Sequence, residues 1–170
     1  MQDKAISDHQ HDFANVYGMI VNSQSRAWQQ VNKVLIDLYW NIGRYVCEKI
    51  EKGGWGKGVV EALSSYIISE NPLIAGFSAR NIWRMKQFYE TYCDKEELST
   101  LLTEIGWSNH LHILSKTKTS AEKEFYIRLA VKHHYSARDF GRLIDSACYD
   151  QGLSYRFTNV SSRTQLYGRD

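Results

Sequence analysis

Apolar residues recur at helical spacing through most of the first fifty positions. From Phe13 to Lys52 there is no proline, and apolar side chains fall three or four residues apart. This spacing predicts an amphipathic helix. We expect a break at Asn22–Ser25, where four polar residues follow one another. The second part then runs about 26 residues, roughly 39 Å. Its broad apolar face must pack on the rest of the chain or on a second copy.

The remainder of the chain alternates short turn signals with further helical patterns. The glycines of GGWGKG, Gly53–Gly58, end the first helix. Serines at 78, 108, 120 and 136 stand where the N-caps of later helices are expected, because a hydroxyl can accept an unpaired backbone N–H. The predicted helices cover residues 57–70, 78–92, 95–104, 107–116, 120–134 and 136–149.

These patterns predict an all-α fold with a long N-terminal helix. We expect one helical domain over residues 1–152, followed by an irregular tail or weak hairpin over residues 153–170. The residues at 121–149 have the length of a helix-turn-helix unit, and those at 57–92 resemble it with a longer loop.

One short pattern is written twice, as FSARNIWRMK from Phe77 and as YSARDFGRLI from Tyr135. Most of it is typical of a helix start. Each serine serves as N-cap, Asn or Asp follows at the third helical position, and the preceding aromatic residue can pack on the fourth. The aromatic residue, the serine and the Asn or Asp are therefore explained by helix initiation.

Helix initiation does not explain the arginines of the two stretches. Arg80 and Arg138 stand in the first turn of a helix, where the helix dipole disfavours positive charge. Arg84 and Arg142 follow one turn later on the same face. A solvated face or an ion pair, for example between Arg138 and Glu122 or Glu124, would account for them. So would contact with DNA, since recognition helices use their N-terminal residues.

The distribution of charge supports the second interpretation. The net charge is only +2, but residues 116–142 hold seven Lys/Arg against three Asp/Glu. Residues 94–104 hold four Asp/Glu against one Lys. We therefore expect a local basic surface. Lys123 and Lys132 are weaker candidates for phosphate contact.

The sequence contains no motif for other classes of function. The three cysteines are widely spaced, the first residues do not form a signal peptide, and no apolar run could span a membrane. We expect a soluble, cytoplasmic protein. No metal-binding spacing, catalytic constellation or nucleotide loop occurs, so we expect no cofactor.

Four segments, in order, resemble the N-terminal domain of YhcG-type proteins: YWNIGRYVCEKIEKGGWGKGVVEALSS, GFSARNIWRMKQFYETY, IGWSNHLHILSK and EFYIRLAVKHHYSARDFGRLIDSACYDQGLS. The resemblance covers about Asn15–Ser154. It implies a helical, bacterial DNA-binding domain that stands ahead of a PD-(D/E)xK endonuclease-like domain. It carries no catalytic residue onto this chain, and we expect the nuclease part to be absent here.

The favoured expectation is therefore DNA binding that positions an associated nuclease. Its contact residues are Arg80, Arg84, Arg138, Arg142, Lys123 and Lys132. The alternative is a protein-interaction module without DNA contact. In that case the long apolar helix forms a homodimer or docks a nuclease domain.

Overall fold

The computed structural model describes residues 9–146 and Tyr149. The predicted tail at 153–170, and the predicted end of the last helix beyond Ser146, therefore lie outside the described residues. Within these residues the chain is all-α, as predicted, with a long N-terminal helix. The helices are α1 (Gln10–Glu51), α2 (Lys57–Glu70), α3 (Ala79–Tyr92), α4 (Ser99–Leu102), α5 (Trp107–Lys116), α6 (Ser120–His133) and α7 (Ala137–Asp145).

Helix α1 is continuous over 42 residues, so the predicted break at residues 22–25 is wrong. Asn and Ser cost only a few tenths of a kcal/mol each in a helix, and neither removes a backbone donor as proline does. The end of α1 follows the prediction. Gly53 has a positive φ of 73°, and its N–H donates to the carbonyl of Ile50 at 2.9 Å.

Two other predicted helix starts are shifted by one or two residues. Thr119, not Ser120, caps α6, because its hydroxyl accepts from the backbone N–H of Glu122 at 3.1 Å. The Glu122 side chain reciprocates at the Thr119 N–H and completes a capping box. Ser108 lies inside α5, whose N-cap is Gly106. The acidic helix predicted at 95–104 is a 3₁₀ turn, Glu96–Leu98, followed by the single turn of α4.

The C-terminal half of α1 packs closely on α3. A side chain at Gly43 would place its Cβ 2.2 Å from the carbonyl oxygen of Met85, so the two backbones touch there. Val46 of α1, Val60 of α2 and Ile82 of α3 form a small cluster beside this crossing. Glycine at 43 therefore sets the distance between α1 and α3.

A larger core joins α1 and α3 to the remaining helices. Its fully buried members include Phe88, Ile113, Tyr126 and Phe140. His110 lies inside it, with its ring edge-on to Phe88 at a centroid distance of 4.6 Å. The order α6, tight turn, α7 resembles the predicted helix-turn-helix unit, and His134 makes the turn with a φ of 49°. Helix α7 nevertheless packs chiefly along α5.

His110 is held neutral by its surroundings. Burial lowers its pKa to about 4, although a backbone hydrogen bond to Leu102 opposes the shift. Its Nε2–H donates to the Leu102 carbonyl at 2.8 Å. Its Nδ1 has no hydrogen-bond partner, so a second proton would find no acceptor.

No described helix is both long enough and apolar enough to cross a membrane.

Gly43→Ala should destabilise the domain by about 1–3 kcal/mol, because the added methyl group must push α1 away from the Met85 carbonyl. Chemical denaturation followed by circular dichroism measures the change. Gly18→Ala is the matched control in the same helix, since nothing lies within 4 Å of its Cβ position. It should stabilise by about 0.5–1 kcal/mol. Equal effects of the two substitutions would contradict the close crossing.

Protonation of His110 should weaken the fold in acid. Its folded pKa of about 4 lies below the unfolded value of 6.5. The contribution to stability is therefore complete above pH 6.5 and is lost as the pH falls towards 4. The loss is on the order of 3 kcal/mol.

Denaturation at several pH values compares wild type with His110→Gln, which keeps an N–H donor but does not titrate. The difference in unfolding free energy should shrink between pH 6.5 and 4. His11→Gln, at an exposed position outside the core, is the matched control for the loss of a histidine and should leave the unfolding free energy at neutral pH close to that of wild type. Parallel curves for wild type and His110→Gln would show that His110 does not titrate in this range.

Candidate nucleic-acid interface

The two copies of the repeated stretch adopt the same local structure. Ser78 caps α3 by accepting from the backbone N–H of Asn81 at 3.3 Å. Ser136 caps α7 by accepting from the N–H of Asp139 at 3.2 Å. Both serines have φ of −61° and an extended ψ. The predicted N-caps at these two positions are confirmed.

The aromatic residue of the second copy also behaves as predicted. The Tyr135 and Phe140 rings stack at a centroid distance of 6.1 Å, which makes the expected hydrophobic staple. In the first copy, Phe77 lies edge-on to Tyr39 of α1 at 6.1 Å. Asn81 does not close a capping box on Ser78, because its amide N–H₂ donates to the Gly76 carbonyl.

Helix α5 is tied to the starts of both α3 and α7. The indole N–H of Trp107 donates to Asn81 Oδ1 at 2.9 Å. Two residues later, the Asn109 side-chain amide donates to the Tyr135 carbonyl at 3.3 Å. The N-terminal turn of α5 therefore lies beside the N-terminal turns of α3 and α7.

Helices α5 and α7 then continue side by side to their C-terminal ends. A Cβ at Gly141 would lie 3.0 Å from the His112 ring, so the glycine lets α7 approach α5. One turn further on, the Lys116 ammonium group contacts the Asp145 carboxylate at 2.6 Å. The two helices are therefore parallel.

The arginines of α3 lie next to the outward face of α5. Arg80 and Arg84 line an open depression of about 440 Å³ together with Leu111, His112 and Ser115 of α5. The buried side of α3, which carries Ile82 and Met85, faces the opposite way.

Helical spacing from Gly141 directs the arginines of α7 to the other flank of the same face. Each residue advances the helix by about 100°, so Arg138 and Arg142 lie about 60° and 100° from Gly141. Buried Phe140 lies about 100° from Gly141 in the opposite direction. Both arginines therefore lie on the side of Gly141 that faces away from the core. We call the surface formed by Arg80, Arg84, His112, Ser115, Arg138 and Arg142 the arginine groove.

The arginine side chains are largely free of carboxylate partners. Among the residues that the structure describes, no ion pair engages Arg80, Arg84 or Arg138. Arg84 donates to the Gln87 amide oxygen at 3.0 Å. Arg142 stands 3.8 Å from the Asp139 carboxylate, with both side chains exposed, an arrangement that contributes little.

The ion pair considered for Arg138 does not form within the described residues. Glu122 accepts from the backbone N–H of Lys118 at 2.8 Å as well as capping α6. Glu124 pairs with Arg128 on the next turn of its own helix at 2.8 Å. Both carboxylates are therefore already engaged.

Both candidate lysines lie on α6. The Lys123 ammonium group donates to the Thr117 carbonyl at 3.2 Å, at the C-terminal end of α5 and far from its first turn. Lys132 is exposed in the last turn of α6. Lys57, which was not a candidate, lines a second depression with Arg80 and Arg84.

His112 and Lys57 could have been found only through tertiary structure. His112 shows no periodic or motif signal, and its place is set by Gly141 on another helix. Among the described residues, no group of three or more His, Cys, Asp or Glu side chains could hold a metal ion.

Comparison with known proteins gives one match. Residues 15–151 match the DUF1016 N-terminal domain, a range that contains every residue of the arginine groove. No curated protein and no solved structure matches the chain significantly.

Ser78→Ala and Ser136→Ala should each destabilise the domain by about 1 kcal/mol, because each removes the acceptor for a first-turn N–H. Ser108→Ala is the matched control. It follows an aromatic residue like the other two but caps nothing, so its effect should stay within about 0.5 kcal/mol. Denaturation midpoints measure all three. A cost at Ser108 equal to that at Ser78 would contradict the described start of α5.

Proposed function

The chain belongs to the DUF1016 N-terminal domain family, and from that premise we propose that it binds DNA through the arginine groove. The observation that carries the proposal is the arrangement of four arginines on the two flanks of α5. Arg80 and Arg138 stand in the first turns of α3 and α7. Arg84 and Arg142 follow one turn later, Arg142 in the last turn of α7.

Arginine at these positions suits phosphate better than it suits the helix itself. The guanidinium group offers a planar fork of N–H donors that matches phosphate oxygens. Arg80 and Arg138, in the first turns of their helices, also oppose the helix dipole, which costs a few tenths of a kcal/mol or more without an anion. A phosphate next to the turn is stabilised both by the dipole and by the arginine.

The separation of the two flanks is of the same order as the width of a DNA groove. Packed helix axes lie 8–10 Å apart, so α3 and α7 are separated by roughly 16–20 Å across α5. The major groove of B-DNA is about 12 Å wide. We infer that Arg80 and Arg84 reach one backbone and that Arg138 and Arg142 reach the other. Ser115 and His112 would then face the groove between them.

The charge on the two sides of α5 favours this orientation. The side opposite His112 carries His110, which donates to Leu102 in the segment after α3. That segment, residues 94–104, holds four acids and one lysine. The acidic surface therefore lies behind α5 and the arginines lie in front, so DNA is drawn to one side.

The likeness to YhcG-type proteins extends the proposal to a role. A domain that holds duplex DNA without catalytic residues of its own would position a PD-(D/E)xK-type nuclease on its substrate. The second candidate function is a protein-interaction module. It is favoured by one separate observation, the exposed apolar side chains of α1, such as Tyr17 and Trp28.

A labelled 20-base-pair duplex titrated with the chain tests DNA binding by fluorescence anisotropy. Affinity should fall steeply with salt, because each phosphate contact contributes about −0.9 to the slope of log K against log salt. Arg138→Ala with Arg142→Ala should weaken binding across sequences and reduce the slope by about 2. Arg80→Ala with Arg84→Ala should act similarly.

Arg44→Ala with Arg128→Ala is the matched control, since it removes the same charge from exposed positions on α1 and α6. It should bind almost as wild type does. DNA binding through the groove is refuted if no binding occurs at low salt, or if the control weakens binding as much as the groove variants do.

A further inference from the structure

One face of α1 remains uncovered over more than half of the helix. Phe13, Tyr17 and Trp28 expose 56%, 69% and 73% of their surface. Further exposed side chains on the same stretch are Val16, Ile20, Val21, Val31, Val34 and Leu38. The described domain covers α1 only from its middle onward, beginning with Asn32 and Ile36.

The uncovered residues follow a heptad pattern. Counting from Phe13, steps of four and three residues alternate without interruption to Leu38. The positions are Phe13, Tyr17, Ile20, Gln24, Ala27, Val31, Val34 and Leu38, which we call the α1 seam. This alternation, with apolar residues at most of its positions, is the heptad pattern of helices that wind around each other.

The α1 seam lies on the side of the helix that the domain does not use. At about 100° per residue, Val34 and Leu38 are each roughly 160° from buried Ile36. A second helix can therefore lie along the entire seam, including the part beside the domain.

We propose that the α1 seam pairs antiparallel with the α1 seam of a second copy of this chain. The seam is self-complementary in that orientation. Phe13 meets the partner's Leu38, Tyr17 meets the partner's Val34, and Ile20 meets the partner's Val31. Every seam position then has a seam position opposite it, as a two-fold interface requires.

The polar member of the seam selects the orientation. In the antiparallel register Gln24 faces the partner's Ala27, so a long side chain meets a small one. In a parallel pair Ala27 would face Ala27 and leave a gap, while the two Gln24 side chains would crowd each other. No seam position carries a charge, and the antiparallel arrangement keeps the two globular domains at opposite ends.

The available area is enough for a stable pair. Aromatic side chains bury 150–250 Å² each, so Phe13 and Tyr17 on the seam and Trp28 at its edge, next to Ala27, offer roughly 300–500 Å². A standard interface buries about 800 Å² per partner. The four aliphatic side chains of the seam, with Val16 and Val21 along its edges, supply most of the rest.

This inference deepens the second candidate function and does not depend on DNA binding. Light scattering on the purified chain, without DNA, measures its mass. Wild type should give twice the chain mass of 19.8 kDa. Ile20→Asp should give the mass of a single chain with an unchanged melting temperature for the domain, because Ile20 lies outside the core.

Met19→Asp is the matched control. Met19 is adjacent, apolar and 68% exposed, but it lies off the seam, so the variant should remain a dimer. A monomeric wild type, or a dimer that survives Ile20→Asp, would overturn the pairing. DNA titration of the Ile20→Asp chain then reports on the arginine groove separately.

Disulfide formation tests the orientation, in a background with Cys47, Cys93 and Cys148 changed to Ser. Ile20→Cys and Val31→Cys chains should cross-link when mixed and oxidised, and neither should cross-link alone. Cross-linking of Ile20→Cys with itself would mean a parallel pair and would overturn the proposed register.

Discussion

The candidate interface depends on the first turn of α5, which is bonded to two other helix starts at once. Trp107 holds Asn81 of α3, and Asn109 holds the carbonyl of Tyr135 just before α7. These bonds link segments that are 26 residues apart in the chain. Together with the shared core, they fix the first turns of α3 and α7, and with them the arginines, relative to each other.

This arrangement explains why one chain carries the same short pattern twice. The serine and its neighbours make each helix start in the same way, and α5 then places the two starts on its two flanks. The arginines are the part that helix initiation does not need. Arg80 and Arg138 stand in first turns, where they oppose the helix dipole, and among the described residues no carboxylate offsets either of them. An anion bound between the two flanks would compensate both.

Much of the fold could be predicted from the sequence because it depends on local chemistry. Helical spacing gave the all-α class, and Gly53, Ser78 and Ser136 marked boundaries that side chains and φ angles enforce. The errors also have local causes. Thr119 and Glu122 form a better cap than Ser120, and the polar run at 22–25 lacks any residue that stops a helix.

What the sequence could not provide is the relation between distant segments. Only the packing of Gly141 on His112 places His112 between the arginine pairs. Lys123 looked like a phosphate contact from its charge alone, but its ammonium group is engaged at Thr117. Lys57 joins the surface because α2 packs beside α3. The four arginines were found because their repetition is visible along the chain.

The most direct test of the arginine groove is nuclear magnetic resonance of the labelled chain during titration with a short duplex. Arginine Nε–Hε signals and backbone amides report contact residue by residue. We expect the largest changes at Arg80, Arg84, Arg138 and Arg142 and in the first turns of α3 and α7. Residues 94–104, behind α5, should remain unchanged. Changes confined to the α1 seam, or spread evenly over the domain, would contradict a DNA-binding role for the groove.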